Sequence, residues 1–375
     1  KGVGPAAARG RGGGGAPPAA AFVEPPRCCP FDLRNLVVFT IRGYLQALQR
    51  GTKRLHFILN RVLQLVWDCC EIDLHKKDTM EEIQNQARHM RPWMWYVVLP
   101  QLLSRVHNSD MTEVFSGIIR QVLAAYPQQA GWQFLQLLKS ANENHNKLGK
   151  QMMLEVGRAQ GEVHRLLSTR MQLAGDLIAL ATFSPPDGQQ VCLAKSFPRL
   201  AGSGSGRMER WQALVPLQSQ VTANIPRMRS QDIKAAQAQS FFPEQILSER
   251  CLDNVEVFRT KEKPKKLTFL GNDGRHYPFL CKAERRGDLR KDSRLMEFSV
   301  MVNQLLALNP DARRRNLEVR TFNVVILSEK CGLLEWVPNT RGMRHIIDDI
   351  WKSRKSTRQQ TVREVKELFD SSKDL

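Results

Sequence analysis

A lysine and an aspartate lie ten residues apart in this sequence, and together they could bind an anion. Lys282 ends an apolar, strand-like stretch, "HYPFLCK", and Asp292 lies about one turn into the helical stretch "GDLRKDSRLMEF". An acid on an apolar helix face needs a cationic partner, because an unpaired buried charge is costly. Lys282 can supply that cation. A lysine held in this way is suited to binding phosphate, and the alternative is that Lys282 is a solvated strand end.

Two strands and a turn must position the lysine, and a helix must position the acid. The stretch "KPKKLTFLGNDGRHYPFLCK" predicts a hairpin, because Asn-Asp-Gly readily adopts the positive φ of a tight turn. Alternation along the second strand places Lys282 on the face of Leu280. Asp288 is the predicted N-cap of the helix. One face of that helix carries the acid and three further residues: Asp292, Leu295, Ser299 and Val302.

A second hairpin, "RTFNVVILSEKCGLLEWVPNT", follows the helix. Its second strand runs into Glu335, Trp336 and Val337 before Pro338. A strand that leaves a sheet into an aromatic residue and a proline can join two lobes, and its exposed backbone can pair with a purine edge. The lysine, the helix acid and this connection, in that order, indicate the phosphate-clamping small lobe of a kinase.

Composition and periodicity divide the chain into five parts. Residues 1–30 are rich in Gly, Ala and Pro and are predicted to be disordered. Residues 31–182 carry apolar residues at helical spacing, which predicts a helical-repeat region. Pro, Gly and Ser mark a linker over 183–209. Short strand-like segments around one helix fill 210–345, and 346–375 read as the start of a large lobe or a charged tail.

The expected fold class is therefore α+β: an α-solenoid-like helical region followed by an antiparallel sheet with one main helix. Lys and Arg number 56 against 37 Asp and Glu, a formal net charge of +19. This balance favours anionic partners without identifying them. No run of about 18 apolar residues occurs, so no membrane span or membrane partner is expected.

The sequence resembles the phosphatidylinositol 3-kinase-related protein kinases, and within that family the ATR-like checkpoint kinases. The resemblance is carried by "KPKKLTFLGNDGRHYPFLCK", "DLRKDSRLMEF", "RRRNLEVRTFNVVILSEKCGLLEWVPNTRGMR" and "VPLQSQ" within 210–345, and by "LAAYPQQAGW" upstream. It implies a FAT-like helical region over 31–182 and the N-terminal lobe of a PI3K/PI4K-like kinase domain over 210–345.

The resemblance also implies roles for six residues and two cofactors, ATP and magnesium. Lys282 would contact the nucleotide phosphates, Asp292 would orient Lys282, and Trp336 would pack on adenine. Thr260 would lie in the phosphate-covering loop, and Val337 would offer its backbone to the purine. The implied ATP-binding residues are Thr260, Lys282, Asp292, Glu335, Trp336 and Val337. The magnesium ligands are expected in the large lobe.

The implied activity is that of a nuclear serine/threonine protein kinase of the DNA-damage and replication checkpoint. The family implies protein substrates, a regulatory partner of the ATR-interacting type and indirect recruitment to single-stranded DNA. The 375 residues contain no "GDRHxxN" and no "DFN" or "DFG" motif, so the chain by itself is expected to be inactive. The alternatives are a lipid kinase of the PI3K superfamily and a non-catalytic basic helical scaffold that binds nucleic acid.

Overall fold

The structure, a computed structural model, follows the predicted order of a helical region and then a sheet. The predicted disordered segment, 1–30, lies outside the residues that it describes. No helix among the described residues is both long and apolar enough to cross a membrane. The described residues are 33–52, 54–71, 76–185, 190–202, 211–223, 245–284, 287–353 and 362–367.

Helices account for the described residues up to 182, as the apolar spacing predicts. Their buried stripes meet in one core, to which α2 contributes Leu59, Val62 and Val66. Proline begins two of the helices, at Pro92 and Pro127, where its missing N–H leaves no hydrogen bond unmade. The helices are α1 (Leu33–Arg50), α2 (Leu55–Glu71), α3 (Lys76–Ala87), α4 (Pro92–Tyr96), α5 (Leu99–Arg105), α6 (Thr112–Ala125), α7 (Pro127–Leu138), α8 (Glu143–Ala159) and α9 (Gly161–Thr182).

An antiparallel sheet of eight strands follows. Its main path runs in the order β1-β4-β5-β6-β8-β7, with β3 joining β2 to β5. The turn between β5 and β6 has Gly274 at φ 76°, as the Asn-Asp-Gly sequence predicts. The strands are β1 (Gln190–Cys192), β2 (Ala213–Leu214), β3 (Leu247–Cys251), β4 (Asn254–Val257), β5 (Lys265–Gly271), β6 (His276–Ala283), β7 (Val324–Ser328) and β8 (Cys331–Glu335).

The prediction of a linker over 183–209 is wrong for its described part. Strand β1 pairs with β4 at the sheet edge, with Val191 opposite Val255. Two short helices follow it, α10 (Leu193–Ser196) and α11 (Pro198–Ala201), each with a fully buried leucine. Proline and glycine set the turns of this segment, whereas its few apolar side chains are what hold it on the sheet.

The main helix, α13 (Leu289–Leu308), begins where the sequence predicts. The Asp288 carboxylate caps it by accepting from the Arg290 N–H at 3.0 Å. The helix packs against β7 through Leu289 and Met296. Three further helices are α12 (Gln218–Val221), α14 (Pro310–Arg314) and α15 (Met343–Ser353), and residues 362–367 are also helical.

One core joins the helical region to the sheet. Trp132 of α7 and Leu177 of α9 pack in the same buried cluster as Phe269 and Phe279 of the sheet. Because these side chains are at most 1% exposed, the two regions share their apolar interior and do not meet through a loose interface. The helical region therefore covers one face of the sheet, and α13 packs on the other face at β7.

Candidate nucleotide-binding face of the sheet

Strands β5 and β6 have two chemically different faces, because successive side chains alternate across a strand. Leu267 and Phe279 lie on the inner face, which packs against the helical region. Lys265 also points inward, where burial lowers the pKa of its ammonium and Ala181 accepts its hydrogen bond at 2.6 Å. The neighbouring Lys266 and, on β6, Lys282 lie on the opposite side, which we call the outer face.

A glycine lies beside Lys282 on the outer face. The strand register pairs Lys282 of β6 with Gly332 of β8. A Cβ at position 332 would lie 2.6 Å from the Val325 carbonyl oxygen and 2.8 Å from Cδ1 of Leu289. Only glycine therefore allows the start of α13 to approach the sheet this closely. The space beside Lys282 that a side chain at 332 would take is therefore filled by Leu289 of α13.

Lys282 is held by a different acid from the one that the sequence predicts. Its ammonium forms an ion pair with Glu284, and the two side chains are 24% and 16% exposed. Because Glu284 follows Lys282 by two residues, both side chains leave the strand on the same side. This partner could have been found from the same alternation that placed Lys282.

The predicted contact between Lys282 and Asp292 is therefore wrong. Asp292 is exposed in the first turn of α13, and no ion pair joins it to Lys282 among the described residues. The helix face that was predicted to be apolar and buried is buried only at Ser299, whereas Leu295 is 56% exposed. An acid on a face open to water needs no partner, so the physical reason for the predicted pair does not apply.

Trp336, which the resemblance places against adenine, has two protein neighbours. Its ring stacks on that of Phe258, with centroids 5.9 Å apart and an interplanar angle of 21°. The Lys266 ammonium lies 4.5 Å from the centroid of the Trp336 ring, a cation–π contact. Neither neighbour was singled out in the sequence. Packing of Trp336 against a purine stays a prediction, and the ring lies at the end of the face that carries both lysines.

Glu335 has a structural role that the sequence did not indicate. Its Oε2 accepts hydrogen bonds from the backbone N–H groups of Gln218, at 2.8 Å, and Asn323, at 2.9 Å. Gln218 belongs to the "VPLQSQ" stretch, and Asn323 comes just before β7. The Glu335 side chain thus links the end of β8 to two neighbouring segments. It lies at the start of the connection Glu335–Val337, which we call the hinge.

Replacing Glu335 by alanine is expected to lower the free energy of unfolding by about 2 kcal/mol, because two backbone donors lose their acceptor. Glu335→Gln keeps an oxygen in the same position and should lose clearly less. Urea unfolding followed by tryptophan fluorescence measures both variants. Equal losses for the two variants would contradict the assigned role.

Val337 has the free backbone donor that a purine-binding hinge requires. The preceding N–H, that of Trp336, donates to the Pro278 carbonyl at 3.1 Å and so continues the sheet. The Val337 carbonyl accepts from the Thr340 hydroxyl at 3.1 Å. In the part of the chain that the structure describes, the Val337 N–H has no acceptor. The sheet therefore ends one residue before the backbone group that the resemblance assigns to adenine.

Thr260 lies in a short loop between β4 and β5. Its N–H donates to the Phe258 carbonyl at 2.9 Å, and its own carbonyl accepts from the Lys263 N–H at 3.1 Å. Lys263 has φ 44°, which tightens the turn, and the Phe258 N–H closes the loop on the Pro264 carbonyl at 2.9 Å. Thr260 is exposed at the bend, so its predicted place in a loop that could cover phosphates is consistent with this geometry.

The outer face combines positive charge with an apolar centre. Two ammonium groups, of Lys266 and Lys282, lie on this face, and a compact loop with further lysines borders it. Lysine binds phosphate as a point charge. Leu280 and Leu334, paired across β6 and β8, give the face an apolar centre for a base. Among the described residues there is no cluster of three or more His, Cys, Asp or Glu that could hold a metal ion.

Two family descriptions match separate parts of the chain. Residues 78–174 match "Serine/threonine-protein kinase ATR-like, HEAT repeats", and residues 276–372 match "Phosphatidylinositol 3- and 4-kinase". The first range lies within the helical region, and the second begins at β6 and includes Lys282 and the hinge.

Two sequence relatives are ATR kinases, and a solved structure shares the fold of this chain. Serine/threonine-protein kinase ATR of Arabidopsis thaliana is 33% identical over 347 residues, which cover 87% of this chain and 13% of that protein. The ATR kinase of Drosophila melanogaster is 28% identical over 341 residues, with the same coverage of 87% and 13%. The solved FAT and kinase domain of CtTel1 shares the fold, with a TM-score of 0.66 at 19% identity over 84% of this chain and 21% of that one.

A repeat-type helical region packed on an antiparallel sheet, whose outer face carries lysines beside a hinge, defines the small lobe of a kinase with a FAT-type region before it. The chain belongs to the phosphatidylinositol 3-kinase-related protein kinases, in the ATR-like branch of that family. It spans 13% of the length of the Arabidopsis relative.

Proposed function

We propose that this chain supplies the ATP-binding small lobe of a serine/threonine protein kinase. The observation that carries the proposal is the Lys282 ammonium, held by Glu284 on the outer face of the sheet and left free of a cross-strand side chain by Gly332. In kinases, a small-lobe lysine that is paired with an acid binds the nucleotide phosphates.

Each residue of the outer face has a distinct task in this proposal. The Lys282 ammonium binds the phosphates, and Glu284 keeps it in place. The Val337 N–H donates to the purine edge, while Trp336 packs beside the base. Thr260 lies in the loop over the phosphates. ATP supplies the phosphoryl group, and magnesium, held by large-lobe residues, would neutralise the charge that develops during transfer.

The proposed reaction is the transfer of the γ-phosphate of ATP to serine or threonine side chains of proteins. The names of the Arabidopsis and Drosophila relatives support it. The 375 residues contain no "GDRHxxN", "DFN" or "DFG" motif, so we propose that this chain alone binds ATP without transferring phosphate. Phosphoryl transfer is proposed for the protein in which a large lobe completes the site.

A lipid kinase is the second candidate, because residues 276–372 match a family described as phosphatidylinositol 3- and 4-kinases. Full-length protein carrying this sequence, purified from its own cells, should transfer radiolabelled phosphate from Mg-ATP to a serine/threonine peptide library. It should label phosphatidylinositol vesicles no more than a reaction without enzyme does. Labelling of the lipid alone would overturn the protein-kinase proposal.

The ATR-like resemblance supports three further proposals: a nuclear location, a regulatory partner of the ATR-interacting type, and recruitment to single-stranded DNA through that partner. Fluorescence microscopy of the tagged full-length protein should show nuclear foci after replication is blocked, and depletion of the partner should remove them. Tight binding of naked single-stranded DNA by the purified chain would instead favour the basic scaffold that its charge of +19 allows.

A further inference from the structure

Two adjoining cavities lie between the helical region and helix α13, and strand β7 lines one of them. Their volumes are about 60 and 70 Å³. A cavity of about 10–15 Å³ already holds one water molecule, so each has room for a small ligand. The residues that line both cavities are Pro100, Gln133, Gln218, Val221, Thr222 and Glu297.

Glu297, near the middle of α13, is the acidic group of these cavities. Its side chain is partly buried, and none of the described residues forms a hydrogen bond or an ion pair with it. Desolvation raises the pKa of its carboxyl to about 7, and only Arg294 on the same helix opposes this. A buried carboxylate without a cationic partner is costly. A cation that binds beside Glu297 would therefore be stabilised by a carboxylate that has no other partner among the described residues.

Two glutamines of the cavities carry buried acceptors without a partner in the described part of the chain. Gln101 and Gln133 each have a buried Oε1 that accepts no hydrogen bond from the described residues. Their terminal torsions are broad, so a small rotation can turn these oxygens toward a donor. The Tyr96 hydroxyl already donates to the Val221 carbonyl. A ligand in this place must bring its own N–H groups.

The charged and titratable groups near Glu297 come from three elements. His56 on α2 lines one cavity, and burial lowers the pKa of its imidazole to about 4, so that it is neutral at pH 6–8. Arg294 lies one turn away on α13. Burial, and after it the charge of Arg294, lowers the pKa of the Arg105 guanidinium on α5. Glu297 is thus the only group lining the described cavities whose charge changes between pH 6 and pH 8.

We propose that these cavities form a binding site for a small primary ammonium ion, with its charged head against Glu297 and its alkyl chain along Val300 and Met301. The three N–H donors of the head match the carboxylate and the two glutamine oxygens. Because the walls come from α5 and α7 on one side and α13 on the other, the ligand would stabilise the contact between the helical region and the small lobe.

The site has a built-in pH dependence whose sign follows from Glu297. Its folded-state pKa of about 7 lies above the ordinary value of 4.5, so it is mostly protonated at pH 6 and mostly ionised at pH 8. An alkylammonium keeps its charge across this range. Affinity should therefore rise about tenfold from pH 6 to pH 8, and binding at pH 6 should release a proton from the carboxyl.

Calorimetric titration of the purified chain with n-butylammonium chloride tests the proposal. We expect a dissociation constant of about 1 mM at pH 8 and about tenfold weaker binding at pH 6. Titration at pH 6 in two buffers of different ionisation heat should show proton release. n-Butanol, which has the shape without the charge, and tetramethylammonium, which has the charge without N–H donors, should each bind at least about tenfold more weakly.

Two variants complete the test. Glu297→Gln keeps the side-chain shape and should lose about tenfold in affinity at pH 8, together with the pH dependence. Glu318→Gln removes the same charge from an exposed position and should change neither. Unchanged binding in Glu297→Gln, equal binding of n-butanol, or no binding of n-butylammonium by the correctly folded chain would each overturn the proposal.

Discussion

Replacing Lys282 by methionine is expected to weaken ATP binding by this chain about 10- to 100-fold. Methionine fills similar space but removes the ammonium, and a hydrogen bond to a charged group contributes about 1.5–3 kcal/mol. The replacement also leaves Glu284, 16% exposed, without its cation beside the bound phosphates. Fluorescence titration with a labelled ATP analogue, with unlabelled ATP as competitor, measures the loss.

A second lysine provides the matched control. Lys330 is exposed in the turn between β7 and β8, and its carbonyl accepts from the Glu284 N–H at 2.7 Å. Lys330→Met keeps this backbone bond and removes one positive charge from a side chain that forms no ion pair among the described residues. It should bind the analogue as the parent chain does. Lys266→Met removes the second ammonium of the face and its contact with Trp336. Its affinity for the analogue should lie between those of the Lys282→Met and Lys330→Met variants. Equal losses in the Lys282 and Lys330 variants would reduce the effect to net charge alone.

Replacing Trp132 by alanine is expected to cause the largest loss of stability, about 4 kcal/mol of the free energy of unfolding. The side chain is 1% exposed in the core shared by helix α7 and the sheet. Its indole N–H donates to the Leu214 carbonyl at 2.8 Å, and the Arg170 guanidinium lies 4.2 Å from the ring centroid. Alanine removes the packing, leaves the Leu214 carbonyl without the indole donor and takes the ring away from Arg170, which still donates to Gln128.

Two comparisons separate these contributions in urea unfolding. Trp132→Phe keeps most of the ring and loses the hydrogen bond, so a smaller loss of about 1–2 kcal/mol is expected. Phe57→Ala, at a position that is 63% exposed, should change stability by less than about 0.5 kcal/mol. A Trp132→Ala chain that unfolds at the urea concentration of the parent would contradict a core shared between the helical region and the sheet.

The long periodic elements could be predicted from the sequence, because a local pattern of residues indicates each of them. The apolar spacing of α2, the Asp288 cap of α13 and the Asn-Asp-Gly turn each specify their own structure over a few residues. Strand β6 follows from its alternation, and that alternation also gave the face of Lys282. The prediction of a helical region followed by an antiparallel sheet is confirmed on these grounds.

The missed features depend on contacts between distant parts of the chain. Strand β1 has three residues, and only its pairing with β4 makes it a strand. The second predicted hairpin begins at Arg320, but β7 begins at Val324. Just before this hairpin, the Asn303 side chain binds both backbone groups of Val319 at 2.8 Å. The predicted Lys282–Asp292 pair is wrong because Glu284, the residue directly after β6, forms the ion pair with Lys282. Such choices between competing partners are made by tertiary packing, which local patterns do not report.

Photolabelling of the chain with 8-azido-ATP, followed by mass spectrometry of the labelled peptides, tests the central claim most directly. The outer face of the sheet predicts labels in the peptides that contain Trp336 and Val337 and along β5 and β6. These labels should disappear with excess ATP and fall in Lys282→Met. Labels confined to the helical region, or unchanged by the loss of the Lys282 ammonium, would show that the nucleotide does not bind where this structure places it.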